Sequence, residues 1–275
     1  MPSGETPLQP VRLVTSDGVA LTGVHRLGAD RDLAIVLAHG FTGSTGRPVT
    51  RRIIGRLGAY GGVLAVDFRG HGGSGGSCTA GAAEVRDIAA VVGYARRLGY
   101  RRIATVGFSM GGSVVVRHAA LCGGVDAVVS VSGPARWFER GTVAMRRVHW
   151  LNETALGRLC CRLVLGTRLS ARWDTVPEAP VELVSRIAPT PLLVVHGDAD
   201  AYFPVAHPRA LVAATGGSAD LWLIERLGHA ETAMTPGLID AIGRWVRAEA
   251  GAAAGAGAIA ADAVESAQAV GADPV

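Results

Sequence analysis

Ile103-Ala104-Thr105-Val106-Gly107-Phe108-Ser109-Met110-Gly111-Gly112 is an apolar run that ends in the pattern G-x-S-x-G, from Gly107 to Gly111. The apolar, partly β-branched residues predict a buried strand over Ile103–Phe108, and the stretch after them predicts a helix over Met110–Leu121. A serine between the two stands at the apex of a sharp strand-to-helix turn, with its hydroxyl raised above the sheet. In so tight a turn, side chains two residues to either side would collide; hence Gly107 and Gly111. Gly112 lets the helix pack close. The helix N-terminus adds backbone N–H groups where negative charge would develop. Ser109 is therefore expected to be a nucleophile aimed at a carbonyl carbon.

Working outward, the same alternation repeats. Val11–Ser16 and Val19–His25 flank Asp17-Gly18, a hairpin signal. Strands are expected at Leu33–Ala38, Val63–Asp67, Ala127–Val131, Leu192–His196 and Leu221–Glu225. Helices are expected at Pro48–Tyr60, Ala82–Leu98, Val205–Ala214 and Pro236–Arg247. Strands alternating with helices imply an α/β fold: a mostly parallel central sheet with helices on both faces, preceded by an antiparallel hairpin. The pattern breaks between Pro134 and Ile187, where the composition is helical. The expected organisation is thus a core of residues 1–133, a helical cap of 134–187, the core resumed over 188–249, and a flexible Ala- and Gly-rich tail of 250–275.

Composition bounds the classes. The chain has 275 residues, enough for one large α/β domain with an insertion. Aromatics are only 5%, so the core must be built from Val, Leu, Ile and Ala. The net charge of +4 is carried entirely by arginine, with no lysine in the chain. It concentrates between Pro134 and Ala188, where nine arginines face five acids. That is a set of solvated helix faces, or a weak attractor for an anionic substrate, and not the dense basic stripe of a nucleic-acid binder. Four cysteines include no C-x-x-C pair, which speaks against a zinc or redox site. Cys160 and Cys161 read as core filler, and a reducing compartment fits. Met1–Pro10 has no apolar h-region and no run of about 18 apolar residues occurs, so neither a signal peptide nor a membrane span is expected. These readings point to a cytoplasmic protein.

A serine hydroxyl needs a base. His229, in Leu227-Gly228-His229-Ala230, follows the last strand at the sheet end where Ser109 emerges. An imidazole in turn needs a carboxylate to hold its tautomer. Gly197-Asp198-Ala199-Asp200 follows the preceding strand and offers two. Asp200 is favoured because it lies deeper in the turn; Asp198 is the alternative. Oxyanion donors are expected from the backbone N–H groups of Phe41, in His39-Gly40-Phe41, and of Met110. His39 reads as bracing that turn. Gly70, Gly72 and Gly75 spell G-x-G-x-x-G, but Ser77–Gly81 intervenes before the helix, so nucleotide binding is rejected. Asp67, Arg69 and His71 are expected to lock this loop beneath the site.

These pieces together resemble the α/β-hydrolase superfamily, near its esterase, lipase and S33-peptidase-like members. The resemblance rests on His39-Gly40-Phe41, Asp67-Phe68-Arg69-Gly70-His71-Gly72-Gly73-Ser74, Gly107–Gly112, Gly197–Asp200 and Gly228-His229, in the family's order over residues 11–247. It implies a Ser109–His229–Asp200 triad, an oxyanion hole of Phe41 and Met110, and a cap over Pro134–Ile187. It also favours Asp200, since the family's acid lies three residues past the glycine after its strand. The implied activity is hydrolysis of a small-molecule carboxylic ester through a covalent acyl-enzyme, with no metal or organic cofactor. Thioesterase, amidase or peptidase, carbon–carbon bond hydrolase and acyltransferase share the same machinery, and a non-catalytic scaffold would lack a member of it. Trp137, Trp150 and Trp173 are expected either to line an acyl pocket or to pack the cap.

Overall fold

The computed structural model describes residues 7–171 and 173–251. Its elements are β1 (Gln9–Val14), β2 (Ala20–Arg26), β3 (Leu33–Ala38), α1 (Pro48–Leu57), β4 (Gly62–Val66), α2 (Glu84–Arg97), β5 (Arg102–Phe108), α3 (Met110–Cys122) and β6 (Ala127–Val131). There follow α4 (Val143–Glu153), α5 (Ala155–Val164), α6 (Pro180–Leu183), a 3-10 turn (Val184–Ile187), β7 (Leu192–Gly197), α7 (Ala206–Ala214), β8 (Ala219–Ile224), α8 (Ala230–Ala233) and α9 (Pro236–Glu249). The strands form one sheet in the order β1-β2-β4-β3-β5-β6-β7-β8. β1 and β2 pair antiparallel, β2 meets β4 antiparallel, and all later pairs are parallel. This is the expected α/β class.

Burial on both faces explains why the central strands read as unbroken apolar runs. Along β3, Ala34, Val36 and Ala38 join the cluster packed by α2, α3 and α7, whereas Leu33, Ile35 and Leu37 join the one packed by α1 and α9. The sheet is therefore a septum between two cores. Helix α3, at its centre, is buried on nearly every side from Met110 to Ala119, which accounts for its lack of a polar face.

Between β6 and β7 the chain carries α4, α5, α6 and the 3-10 turn; none of its described residues joins the sheet, and Leu169 forms an isolated β-bridge with Cys78 in the Gly-rich loop. Cys161 is buried as expected, but Cys160 is only half-buried. Ala250, which begins the expected tail, packs into the core at the end of α9. The tail from Ala252 onward, and Met1–Thr6, lie outside the described residues.

The Gly-rich loop after β4 is locked by charge. Arg69 is 4% exposed and donates to Asp87 Oδ1 through Nε (2.9 Å) and Nη2 (2.7 Å), and to Asp17 through Nη1 (2.8 Å). Asp87 is fully buried and also accepts the Arg69 backbone N–H at 2.8 Å. Asp67 accepts from Thr45 on α1's approach and from Gly73 within its own loop. Replacing Arg69 with leucine strands the Asp87 carboxylate in the core. The expected cost is roughly 3–5 kcal/mol, read as a lower urea midpoint at unchanged m-value.

Candidate active site

β5 delivers Ser109 and α3 begins on the next residue, so the serine takes up the whole reversal. Its φ is 52° and ψ −117°, a conformation that L residues rarely adopt. The glycines around it are sterically required. A Cβ on Gly107 would lie 2.2 Å from the Gly111 carbonyl oxygen, and one on Gly111 would lie 2.3 Å from that of Ala38. The Ser109 N–H donates to Val131 at the end of β6 (2.8 Å), which pins the turn to the sheet.

Three side chains from three strand ends meet here in one hydrogen-bonded line. The Ser109 hydroxyl is 2.9 Å from His229 Nε2, and His229 Nδ1 is 2.8 Å from Asp200 Oδ2. His229 follows β8, and its loop is fastened by the Ala230 N–H donating to Ser132 Oγ at 3.1 Å. Tyr202 stacks on the imidazole with ring centroids 4.2 Å apart. Asp200 is wholly buried at its side chain. Burial pushes its carboxyl upward, but the His229 hydrogen bond and charge, with the Phe203 and Tyr202 N–H groups, outweigh this and hold it below the ordinary carboxylate value. Asp198 does not reach the histidine. It is exposed and accepts the Arg226 N–H at 2.6 Å.

The N–H groups of Phe41 and Met110 have no acceptor among the described residues. Both residues line the same cavity as Ser109 and His229. His39 braces the Phe41 turn, as expected: its Nδ1–H donates to the Gly40 carbonyl (2.8 Å) and its Nε2 accepts from Phe68 (3.0 Å).

The cavity has a volume of about 920 Å³ and lies between the sheet end and the segment bearing α4 and α5. Trp137, Phe138 and Trp173 form an aromatic cluster in its wall, at centroid distances of 5.4 and 6.0 Å from Trp173. The indole N–H groups of Trp137 and Trp173 are used up on the carbonyls of Pro177 and Thr79, each at 2.7 Å. Trp150 does not line the cavity and is 45% exposed. Glu231, which lines the cavity beside Ser109, has no counterpart among the residues that the sequence singles out. Its signal would have been the acid two places after His229, in His229-Ala230-Glu231. Among the described residues no group of His, Cys, Asp or Glu is placed to hold a metal ion, and no helix is long and apolar enough to cross a membrane.

No curated protein matches the chain in sequence. Among solved structures, the fold is shared with the Pyrococcus furiosus esterase Pf2001, at 21% identity and a TM-score of 0.70 over 89% of this chain and 93% of that one. It is shared with XC6422 of Xanthomonas campestris, a serine hydrolase without a lid, at 20% identity and a TM-score of 0.62 over 90% and 97%. Est1E of Butyrivibrio proteoclasticus, solved with ferulic acid bound, follows at 21% identity and a TM-score of 0.58 over 86% and 96%. The alpha/beta hydrolase family model matches residues 35–236, from β3 to the first residue of α9. With that match spanning most of the chain, the chain belongs to the alpha/beta hydrolase family.

Proposed function

We propose that this protein is a serine hydrolase of small carboxylic esters, acting through Ser109, His229 and Asp200. The observation that carries this is the unbroken line from Ser109 Oγ to His229 Nε2 and from His229 Nδ1 to Asp200 Oδ2, set in a cavity that also holds two unclaimed backbone N–H groups. As Ser109 Oγ bonds to the ester carbonyl carbon, its proton passes to His229 Nε2. The resulting oxyanion takes hydrogen bonds from Phe41 and Met110. When the tetrahedral intermediate collapses, the C–O bond to the alcohol breaks and the alcohol leaves with the proton from His229. Water then repeats the sequence on the acyl-serine, giving up a proton to His229 and releasing the acid. Asp200 stabilises the imidazolium at both stages.

The aromatic wall of Trp137, Phe138 and Trp173 suits an apolar acyl group or aromatic alcohol more than a charged one, because their N–H groups are already spent. A fluorophosphonate probe tests the nucleophile directly. It is expected to label the native protein on Ser109, and labelling that persists in Ser109→Ala would overturn the assignment. A p-nitrophenyl ester series run beside a thioester and an aminoacyl anilide is expected to favour the esters; faster turnover of either other bond would transfer the same machinery to it.

A further inference from the structure

Three backbone N–H groups follow β3 in succession, at Gly40, Phe41 and Thr42. The first donates to Glu231 Oε1 at 2.6 Å. The third donates to His71 Nε2 at 3.3 Å. The one between them, that of Phe41, is unclaimed among the described residues. Its neighbours on both sides are thus already taken by side chains.

Two imidazoles supply part of that frame. His71 Nδ1 lies 3.0 Å from the Arg69 carbonyl, so it donates there and leaves Nε2 as an acceptor for Thr42. His39 donates to the Gly40 carbonyl and accepts from Phe68. Burial lowers both rings, His39 to about 3, so each stays neutral and keeps the lone pair its role requires. Both belong to the turn after β3 or to the loop beside it. Glu231 comes from elsewhere. It lies on α8, two residues past His229, and reaches Gly40 across 191 residues of chain. A Cβ on Gly40 would be 3.2 Å from Glu231 Oε2 and 3.2 Å from Ser109 Cβ, so the carboxyl lies alongside the nucleophile.

We propose that Glu231 is the positioning residue of the oxyanion hole: by holding the Gly40 N–H it keeps the adjoining Phe41 N–H directed at the oxyanion, and it couples that turn to the loop carrying the base. The inference rests on the ester-hydrolase reading. Glu231 touches no reacting atom in this role and acts only through Phe41. Its essential property is an acceptor oxygen at the right reach, not a charge. A negative charge there opposes the oxyanion, and burial already pushes the carboxyl above its ordinary value against the pull of the Gly40 N–H.

Glutamine keeps the acceptor and drops the charge. Aspartate keeps the charge and loses the reach. Alanine loses both. Removing one oxyanion donor costs about 10²–10³ in kcat, which bounds the effect from above. Glu231→Ala and Glu231→Asp are expected to lose about 10²-fold in kcat on a p-nitrophenyl ester, with KM changed by less than about threefold. Inhibition by a trifluoromethyl ketone, whose Ser109 adduct carries an oxyanion, should weaken by the same factor. Glu231→Gln is expected to hold kcat within about fivefold of the native protein or above it. Wild-type kcat in both Glu231→Ala and Glu231→Asp, a loss confined to KM, or a Glu231→Gln variant as slow as Glu231→Asp at equal thermal stability would each overturn the proposal. If the native protein turned over no ester and took up no fluorophosphonate, the ester-hydrolase reading would fall and this inference with it. If those two tests succeed and the Glu231 variants behave as the native protein, only this inference falls.

Discussion

Ser109→Ala is expected to lower kcat for ester hydrolysis by about 10⁶, close to 8 kcal/mol of barrier, while leaving the folded state intact. In the proposed mechanism, loss of the hydroxyl leaves His229 no proton to take, and no acyl-enzyme forms. What remains is the cavity and the Phe41 and Met110 donors acting on bound ester and water, which sustain about 10³–10⁴ over the uncatalysed rate. Stability should not follow activity. The backbone strain at φ 52° is borne by alanine as it is by serine, and the Ser109 N–H bond to Val131 needs no side chain. Steady-state kinetics on a p-nitrophenyl ester, with thermal melts of both proteins, checks the pair of outcomes. A residual rate within about tenfold of the native protein would remove Ser109 from the mechanism.

Asp200→Asn is expected to cost about 10⁴ in kcat at nearly unchanged stability. The argument is one of tautomers. Asp200 Oδ1 accepts two backbone N–H groups, from Tyr202 at 2.8 Å and Phe203 at 3.1 Å. An asparagine must therefore place its carbonyl oxygen there and turn its NH₂ toward His229. That NH₂ can only donate, so His229 Nδ1 becomes an acceptor and the ring proton moves to Nε2. The nitrogen facing Ser109 then carries a hydrogen and cannot take another. The two N–H groups fix the direction of the amide, so rotation of the side chain does not rescue the variant. Asp198→Asn is the control. Its carboxylate is exposed and turned to Arg226, so kcat should stay within about twofold. A loss in Asp198→Asn equal to that in Asp200→Asn would show that the acid has been misassigned.

Local steric demands are what a sequence states most clearly. Gly107 and Gly111 flank a serine because two backbone carbonyls stand where their side chains would be. That demand is met within a few residues, so the strand, the turn and the helix are legible together from Ile103 to Gly112. The parallel sheet is legible for a related reason. Strands such as β3 are buried on both faces, and such a strand leaves an unbroken apolar run. Once the sheet is parallel, residues that follow its strands gather at one end. This is how His229 and Asp200 could be placed near Ser109 from 120 and 91 positions further along the chain.

Choices among neighbours were harder to read, since they turn on contacts distant in sequence. Asp198 and Asp200 differ by one turn residue, and what separates them is the Arg226 N–H holding the first and the Tyr202 and Phe203 N–H groups orienting the second. Trp137 and Trp173 face the cavity because the Pro177 and Thr79 carbonyls anchor their indoles, and Trp150 on α4 finds no such anchor there.

The sequence by itself determined the α/β class, the turn that raises Ser109, and the order in which Asp200 and His229 follow it. Those features are written in side-chain size and apolar period, both local to each segment. Only the tertiary structure decided which carboxylate meets His229, which tryptophans wall the cavity, and that Glu231 turns inward to Gly40. The physical reason is that a hydrogen bond across 191 residues leaves no trace in the period or composition of either segment. It exists only when the sheet brings the end of β3 and the loop after β8 to the same side of Ser109.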